Sequence, residues 1–171
     1  MKKLRLLFTE KCNRRCRGCC NRDWDLEHLP VFNPNSLGSY NEVMITGGEP
    51  MLFPTQLVHQ ILEIKRLTQV PVYLYTAKVD EIETAVSILN QVEGMTVTLH
   101  QPKDVAPFMA FHKAVMSEGV DLRNKKLRLN VFHNVIPPEV ANWTIRSGIQ
   151  WKKDCPLPEG EVFQRLRKVV S

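Results

Sequence analysis

The sequence predicts an α/β protein, an open and partial βα barrel of five or six mostly parallel strands. Short apolar segments of strand character alternate with amphipathic segments of helical period, which favours right-handed βαβ units and a parallel sheet. A complete eight-unit barrel needs about 200 residues or more, whereas the chain has 171. Hydrophobic residues make up 43% and charged residues 24% of the chain. These are ordinary globular values, so we expect one domain over residues 1–171.

The first third of the chain is predicted to contain two strands and one helix. Leu4–Phe8 is short and apolar, so we expect it to be a strand that leads directly into a cysteine-rich loop. Asn21–His28 is predicted to contain a helical turn, and Pro30–Asn41 an irregular connection. Glu42–Thr46 is the second predicted strand. Gln56–Leu67 carries apolar residues at helical spacing and is predicted to be an amphipathic helix.

The same alternation continues in the middle of the chain. Pro71–Thr76 is rich in β-branched and aromatic residues, which predicts the third strand. Asp80–Val92 has the apolar spacing of a helix. Asp80 and Glu83 stand three residues apart at its start, so we expect them to form a capping pair.

The last part of the chain is predicted to add two or three strands and two helices. Met95–His100 is the fourth predicted strand. Asp104–Ser117 is predicted to be a helix, with its proline in the first turn, where proline is tolerated. Lys126–His133 is the fifth predicted strand, and Trp143–Trp151 is a candidate for a sixth. Gly160–Val170 has inward positions at helical spacing and is predicted to be a short closing helix.

Four of the five cysteines lie within nine residues. An odd count with this crowding fits a disulfide framework poorly and a metal site well. Cys12, Cys16 and Cys19 have the spacing C-x3-C-x2-C, which presents three thiolates from one loop. An iron–sulfur cube with four cysteines is suited mainly to electron transfer, whereas three ligands leave one iron open to a substrate or cofactor.

Two other roles for the cysteines stay open at this point. A zinc site would need a fourth ligand, for which the candidates are Cys20, Cys155 and His28. Cys20 is also an alternative to Cys19 as a cluster ligand, although the spacing favours Cys19. Cys155 is either a ligand of a second cluster or, as is more common for a remote cysteine, a buried or free thiol.

The second candidate motif is the turn that follows the second predicted strand, Thr46-Gly-Gly-Glu-Pro50. Gly47 and Gly48 allow the backbone to approach a ligand closely. Glu49 places a carboxylate where an ammonium group would be bound, and Pro50 fixes the turn. Ligands of parallel α/β proteins bind beyond the carboxyl ends of the strands, where both this turn and the cysteine loop are expected.

The cysteine triplet followed by GGEP resembles the radical S-adenosylmethionine (SAM) enzymes. In that superfamily three cysteines hold a 4Fe–4S cluster, the open iron is chelated by the amine and carboxylate of SAM, and the GGEP-type turn binds the methionine amine. The resemblance implies a radical SAM-like fold with Cys12, Cys16 and Cys19 as the cluster ligands. It also implies an enzyme that cleaves SAM reductively to a 5′-deoxyadenosyl radical.

The residues around the cysteines narrow this resemblance. Gly18, Asn21 and Trp24 complete a C-x3-C-x-G-C-x-N pattern with a tryptophan shortly after it. This pattern is similar to the activating enzymes of anaerobic ribonucleotide reductase. The resemblance implies a glycyl-radical enzyme or another protein as substrate, and an external electron donor such as flavodoxin or ferredoxin. The sequence departs from that family where Cys20 replaces an aromatic residue and Glu49 an aspartate.

Further cofactor contacts are expected at the ends of the predicted strands. By the resemblance, the backbone at Gly18 lies near the adenine of SAM. The candidates to contact ribose, carboxylate or substrate are Thr76, His100 and Asn130. Each of them also has an alternative interpretation as an ordinary structural residue. Two alternative functions are a radical SAM enzyme acting on a small molecule or nucleotide, and a non-catalytic iron–sulfur or zinc-binding module.

Charge and hydropathy give the remaining expectations. The net charge is +5, and a basic rim beside the cysteines favours solvated surface first, then a phosphate-bearing substrate or an acidic partner. The rim consists of Arg14, Arg15, Arg17 and Arg22. Nucleic acid stays among the possible partners. No apolar run approaches about 18 residues, and Arg5 interrupts the apolar start that a signal peptide would need. We therefore expect a cytoplasmic protein without a membrane span.

Overall fold

The computed structural model describes residues 2–117, 119–152 and 154–171. These residues contain seven strands and three α-helices, so the α/β class is confirmed, with more strands than the expected five or six. The strands are β1 Lys3–Thr9, β2 Glu42–Gly47, β3 Val72–Thr76, β4 Gly94–Leu99, β5 Lys126–Phe132, β6 Thr144–Ile149 and β7 Glu161–Val170. The helices are α1 Pro54–Leu67, α2 Ile82–Gln91 and α3 Val105–Ser117.

The chain divides into two compact units, Met1–Tyr73 with Trp151–Ser171, and Leu74–Gln150. In the first unit β1 lies between β2 and β7 and is parallel to both. Its residues Leu4, Leu6 and Leu7 are fully buried. A central parallel strand is covered on both faces, which explains why this segment is nearly continuous in apolar residues.

The C-terminal segment corrects the sequence prediction, because Glu161–Val170 is the strand β7 and the predicted helix over Gly160–Val170 is wrong. The strand does not alternate strictly: Leu7 pairs with Arg165, but Thr9 pairs with Val170, so β7 bulges in between. A bulge places extra residues on one strand and shifts its inward positions, which produced the apparent helical spacing. Pairing with a distant strand decided the structure over local periodicity.

In the second unit β4, β5 and β6 are parallel and adjacent in that order. The core is apolar on both sides of β4, and α2 and α3 contribute further buried residues. Trp143 packs edge-on against Phe108 and Phe111, with ring centroids 5.0 and 6.3 Å apart. These aromatic contacts hold the start of β6 against α3.

Two smaller expectations also change. The capping pair predicted for α2 is wrong, because Glu81 is its N-cap and makes no side-chain capping bond. Asp80 instead accepts a 3.0 Å hydrogen bond from Lys78. The irregular connection predicted over Pro30–Asn41 contains a 3-10 helix, Pro34–Ser39. Within the described residues, no helix combines the length and the apolar character needed to cross a membrane.

Candidate functional site

In the first unit, the GGEP turn is hydrogen-bonded to the chain segment that leads into the cysteine loop. They follow the neighbouring parallel strands β1 and β2, whose carboxyl ends lie at the same edge. The Gly48 amide donates to the carbonyl oxygen of Thr9 at 2.6 Å, and the Glu49 amide donates to that of Lys11 at 2.8 Å. These two bonds fix the turn against the chain segment that enters the cysteine loop.

The two glycines of the turn allow this close approach. A Cβ atom on Gly47 would overlap the Thr9 carbonyl oxygen, and one on Gly48 would overlap that of Lys11. Gly47 also has a φ of 140°, which L side chains rarely adopt. Each glycine therefore admits the neighbouring backbone, and the predicted close approach of a ligand to these glycines stays a prediction.

The side chain of Glu49 is buried and held in a defined position within the turn. Glu49 is only 2% exposed, and its Oε1 accepts a hydrogen bond of 3.0 Å from the Met51 amide. Glu49 is thereby the N-cap of the 3-10 helix Pro50–Leu52, and Pro50 is the first residue of that helix. Thr46, the last residue but one of β2, pairs with Leu7 and is half-buried. The turn thus fixes a buried carboxylate at the carboxyl edge of the strands.

Two of the five cysteines form a disulfide and three do not. Cys20 is bonded to Cys155, whereas Cys12, Cys16 and Cys19 are not disulfide-bonded. These three are the C-x3-C-x2-C triplet, and the sequence left open whether Cys20 would replace Cys19. The pairing of Cys20 with Cys155 was not expected from the sequence, although these are the two cysteines outside the triplet.

Electrostatics links Cys12 with the GGEP turn. The pKa of the Cys12 thiol is raised above its ordinary value, mainly by partial burial of the thiol group, although the residue as a whole is exposed. The charges of Glu49 and Cys19 raise this pKa further, and a 3.4 Å hydrogen bond from the Arg14 amide lowers it. A bound cation would reverse this balance, because metals bind the thiolate.

In the described part of the chain, no group of three or more His, Cys, Asp or Glu side chains is arranged to hold one metal ion. Of the candidate fourth zinc ligands, Cys20 and Cys155 are bonded together, and the His28 ring is paired with Asp25 at 2.8 Å.

Gly18 contacts a residue that the sequence analysis missed. A Cβ on Gly18 would lie 2.6 Å from Cβ of Trp151, so this glycine allows the tryptophan to pack against the cysteine loop. Trp24 donates from Nε1 to the carbonyl oxygen of Cys155 at 3.2 Å and packs edge-on against Phe163. No local pattern marked Trp151, which lies just beyond β6 and was expected at the end of a strand.

The other three candidate residues belong to the second unit, and local contacts account for two of them. The Thr76 hydroxyl accepts a 2.9 Å bond from the Lys78 amide and so holds the turn after β3. The backbone amide of His100 donates to the Asp104 carboxylate at 2.9 Å. The centroid of the His100 ring lies 4.7 Å from that of the Phe132 ring. Asn130 is half-buried within β5, paired with β4 and β6.

No protein-family model matches the chain, and the curated proteins include no significant match to it. The residues and their geometry therefore carry the functional argument.

Proposed function

We propose that the chain is a radical SAM enzyme whose 4Fe–4S cluster is bound by Cys12, Cys16 and Cys19. The observation that carries the proposal is the pair of hydrogen bonds from Gly48 and Glu49 to the backbone that enters the cysteine loop. We infer from these bonds that the two motifs, which were recognised separately in the sequence, belong to one site. The radical SAM type of open, partial barrel belongs to the same proposal, and the parallel α/β architecture is compatible with it.

The division of the cysteines supports the choice of ligands. The three cysteines outside the disulfide have the C-x3-C-x2-C spacing, and the disulfide removes Cys20 and Cys155 from the set of available ligands. Three thiolates hold three irons of a cube and leave the fourth accessible. When bound, the cluster and SAM supply the electron transfer and the 5′-deoxyadenosyl radical.

The GGEP turn has the features needed to orient an amine. Glu49 is buried, and the Met51 amide holds one of its oxygens in place. A fixed carboxylate accepts hydrogen bonds from an ammonium group more strongly than a neutral acceptor would, and burial increases the effect. We assign to Glu49 the binding of the methionine amine of SAM. Gly18, Thr46, Thr76, His100 and Asn130 stay proposed cofactor or substrate contacts.

We further propose a protein substrate, in the first instance a glycyl-radical enzyme. Gly18, Asn21 and Trp24 provide the resemblance to activating enzymes of that kind. Arg15, Arg17 and Arg22 are exposed, and this basic rim is suited to an acidic protein surface, either of the substrate or of an electron donor such as flavodoxin or ferredoxin.

Anaerobic reconstitution tests the enzymatic proposal. The protein is loaded with iron and sulfide, reduced in the presence of SAM, and analysed for iron, zinc and 5′-deoxyadenosine. We expect about four irons per chain and slow release of 5′-deoxyadenosine. Tightly bound zinc without SAM cleavage would instead support the zinc-binding module.

Two cysteine variants separate ligands from the other thiols. Cys16→Ala removes a proposed ligand and should abolish both cluster loading and SAM cleavage. Cys155→Ala removes a cysteine outside the triplet and should retain the cluster and most of the cleavage. Loss of the cluster in Cys155→Ala would show that the ligands were assigned wrongly.

The substrate is tested on the reconstituted protein. Incubation with a candidate glycyl-radical enzyme should give a glycyl radical in the electron paramagnetic resonance spectrum, in proportion to the 5′-deoxyadenosine formed. Formation of 5′-deoxyadenosine without that radical, across several such enzymes, would favour a small-molecule or nucleotide substrate.

A further inference from the structure

A covalent bond joins the cysteine loop to the C-terminal segment. Cys20 and Cys155 are 135 residues apart in sequence, and their Cα atoms lie 5.4 Å apart. Cys20 directly follows the proposed ligand Cys19. The bond therefore holds residues from far along the chain beside the thiols that would bind a cluster.

Non-covalent contacts hold the same part of the chain, the described residues 151–152 and 154–157, which we call the strap. Trp151 packs against Gly18, and the carbonyl oxygen of Cys155 accepts the 3.2 Å hydrogen bond from Trp24. Leu157 packs against the small apolar cluster that contains Leu26 and Phe163. The strap thus covers part of the cysteine loop while the disulfide is present.

The backbone of the strap is unfavourable next to the bond. Asp154 has a φ of 59° and Cys155 one of 20°. Residues with a side chain adopt positive φ rarely, and only where surrounding structure imposes it. The disulfide supplies such a constraint, so we expect the strap to change conformation when the bond is cut.

We propose that Cys20 and Cys155 form a reversible dithiol–disulfide site, which low-molecular-weight thiols reduce and disulfides reoxidise, and which opens and closes the strap over the cysteine loop. The meaning of this site for catalysis rests on the proposed function. In the reducing step the Cys20–Cys155 bond breaks and two S–H groups form, while two thiols of the reductant give up two hydrogens and become one disulfide.

The exposure of the two cysteines and the proposed function both favour a reversible bond over a permanent cross-link. Both residues are half-buried rather than enclosed, so a small thiol can reach them. A protein that needs a reductant for its chemistry works where disulfides exchange with thiols, and disulfides in such surroundings are usually catalytic or redox-sensing. A cluster bound to Cys12, Cys16 and Cys19 would also leave only this pair free to exchange.

Counting thiols tests the site without iron or SAM. The apo-protein is equilibrated in buffers with different ratios of reduced to oxidised glutathione, quenched in acid and alkylated with iodoacetamide. The mass of the alkylated protein then gives the number of thiols. We expect three alkyl groups in oxidising buffer and five in reducing buffer. Peptide mapping should link Cys20 to Cys155 in the oxidised form. Five groups in every buffer, or a bond between other cysteines, would overturn the proposal, as would a disulfide that excess dithiothreitol leaves intact in the native protein.

Proteolysis reports the movement of the strap. Lys152 is exposed, and trypsin should cut after it several-fold faster in the reduced protein than in the oxidised one. Cys155→Ser should be cut at the fast rate in both buffers. Cys12→Ser is the matched control, because it removes a cysteine of the same loop but keeps the pair, so its cleavage should still depend on redox state. Equal cleavage rates for the oxidised and reduced wild-type protein would contradict the opening of the strap.

A cluster-loaded sample separates this inference from the proposed function. If both hold, the reduced and loaded protein should take two alkyl groups, at Cys20 and Cys155, because the cluster protects the other three. If the protein takes three alkyl groups in oxidising buffer and five in reducing buffer but never binds iron, the proposed function alone would be refuted. If the protein binds iron but the number of alkyl groups on the apo-protein stays at five in oxidising buffer, the dithiol–disulfide site alone would be refuted.

Discussion

The Gly48 amide donates a 2.6 Å hydrogen bond to the carbonyl oxygen of Thr9, which joins the GGEP turn to the end of β1. Thr9 is fully buried, and its hydroxyl donates in turn to the carbonyl oxygen of Val170 at 2.6 Å. The end of β1 is therefore fixed from both sides, by the turn after β2 and by the end of β7. This arrangement defines where the cysteine loop begins.

Replacement of Gly48 should disrupt the junction. Gly48→Ala places a Cβ against the Lys11 carbonyl group, where only backbone could move to make room. Overpacking of this kind destabilises a protein by about 1–3 kcal/mol, which urea denaturation measures. Gly38→Ala is the matched control, because its Cβ meets nothing within 4 Å, and it should change stability by less than about 0.5 kcal/mol. Equal stabilities of the two variants would contradict the close packing at Gly48.

The ion pair between Arg5 and Glu161 should stabilise the docking of β7 on β1. Arg5 donates from Nε and Nη2 to Oε2 of Glu161 at 2.8 and 2.6 Å, and the two side chains are 22% and 10% exposed. Glu161→Ala leaves the partly buried guanidinium without this carboxylate and should lower the free energy of unfolding by about 1–3 kcal/mol.

A surface pair supplies the control for that measurement. Glu63 pairs with Arg66 at 3.3 Å on the exposed face of α1. Exposed pairs are worth little, so Glu63→Ala should change the free energy of unfolding by less than about 1 kcal/mol. If Glu161→Ala and Glu63→Ala lowered the free energy of unfolding by the same small amount, the Arg5–Glu161 pair would have no special role in stability.

The hydrogen bond between His112 and Trp143 predicts a pH dependence of stability. Trp143 donates from Nε1 to Nδ1 of His112 at 3.1 Å, which requires an unprotonated Nδ1. Burial lowers the pKa of His112 below the usual 6.5. As pH falls below about 6.5, the unfolded chain gains a proton that the folded chain does not, so this contribution to stability is present above that pH and declines below it.

Nuclear magnetic resonance and denaturation measure the two parts of this prediction. His112 should titrate below 6.5, and His28 in the same sample should titrate above it, because the Asp25 carboxylate raises the pKa of His28. His112→Gln keeps an acceptor for Trp143 but cannot titrate in this range. Its stability should therefore fall less than that of the wild-type protein between about pH 7 and 5. A parallel decline in the two proteins would rule out His112 as the source.

The contact between Gly18 and Trp151 predicts coupled effects in variants. Gly18→Ala places a Cβ 2.6 Å from Cβ of Trp151, so it should displace the strap and shift the tryptophan fluorescence to longer wavelength. In the Trp151→Gly background the same substitution meets no Cβ at position 151 and should affect stability less, which a double-mutant cycle would detect. Additive effects on unfolding would show that the two residues are not in contact in solution.

The sequence by itself determined the alternation of strands and helices and the pairing of the two motifs. Apolar segments such as Leu4–Phe8 and the helical spacing of Gln56–Leu67 are local patterns, and local patterns report secondary structure directly. Because parallel strands end at one edge, the order of the elements was enough to place the GGEP turn near the cysteine loop.

Only the tertiary structure decided how distant segments meet. Glu161–Val170 became a strand because β1 offered it backbone partners, which its bulged and irregular pattern did not reveal. Cys20 forms a disulfide with a cysteine 135 residues away, and Gly48 is required by the backbone of Lys11, which a Cβ would overlap. Each outcome depends on a partner remote in sequence, and remote contacts leave no periodic trace in the segment that makes them.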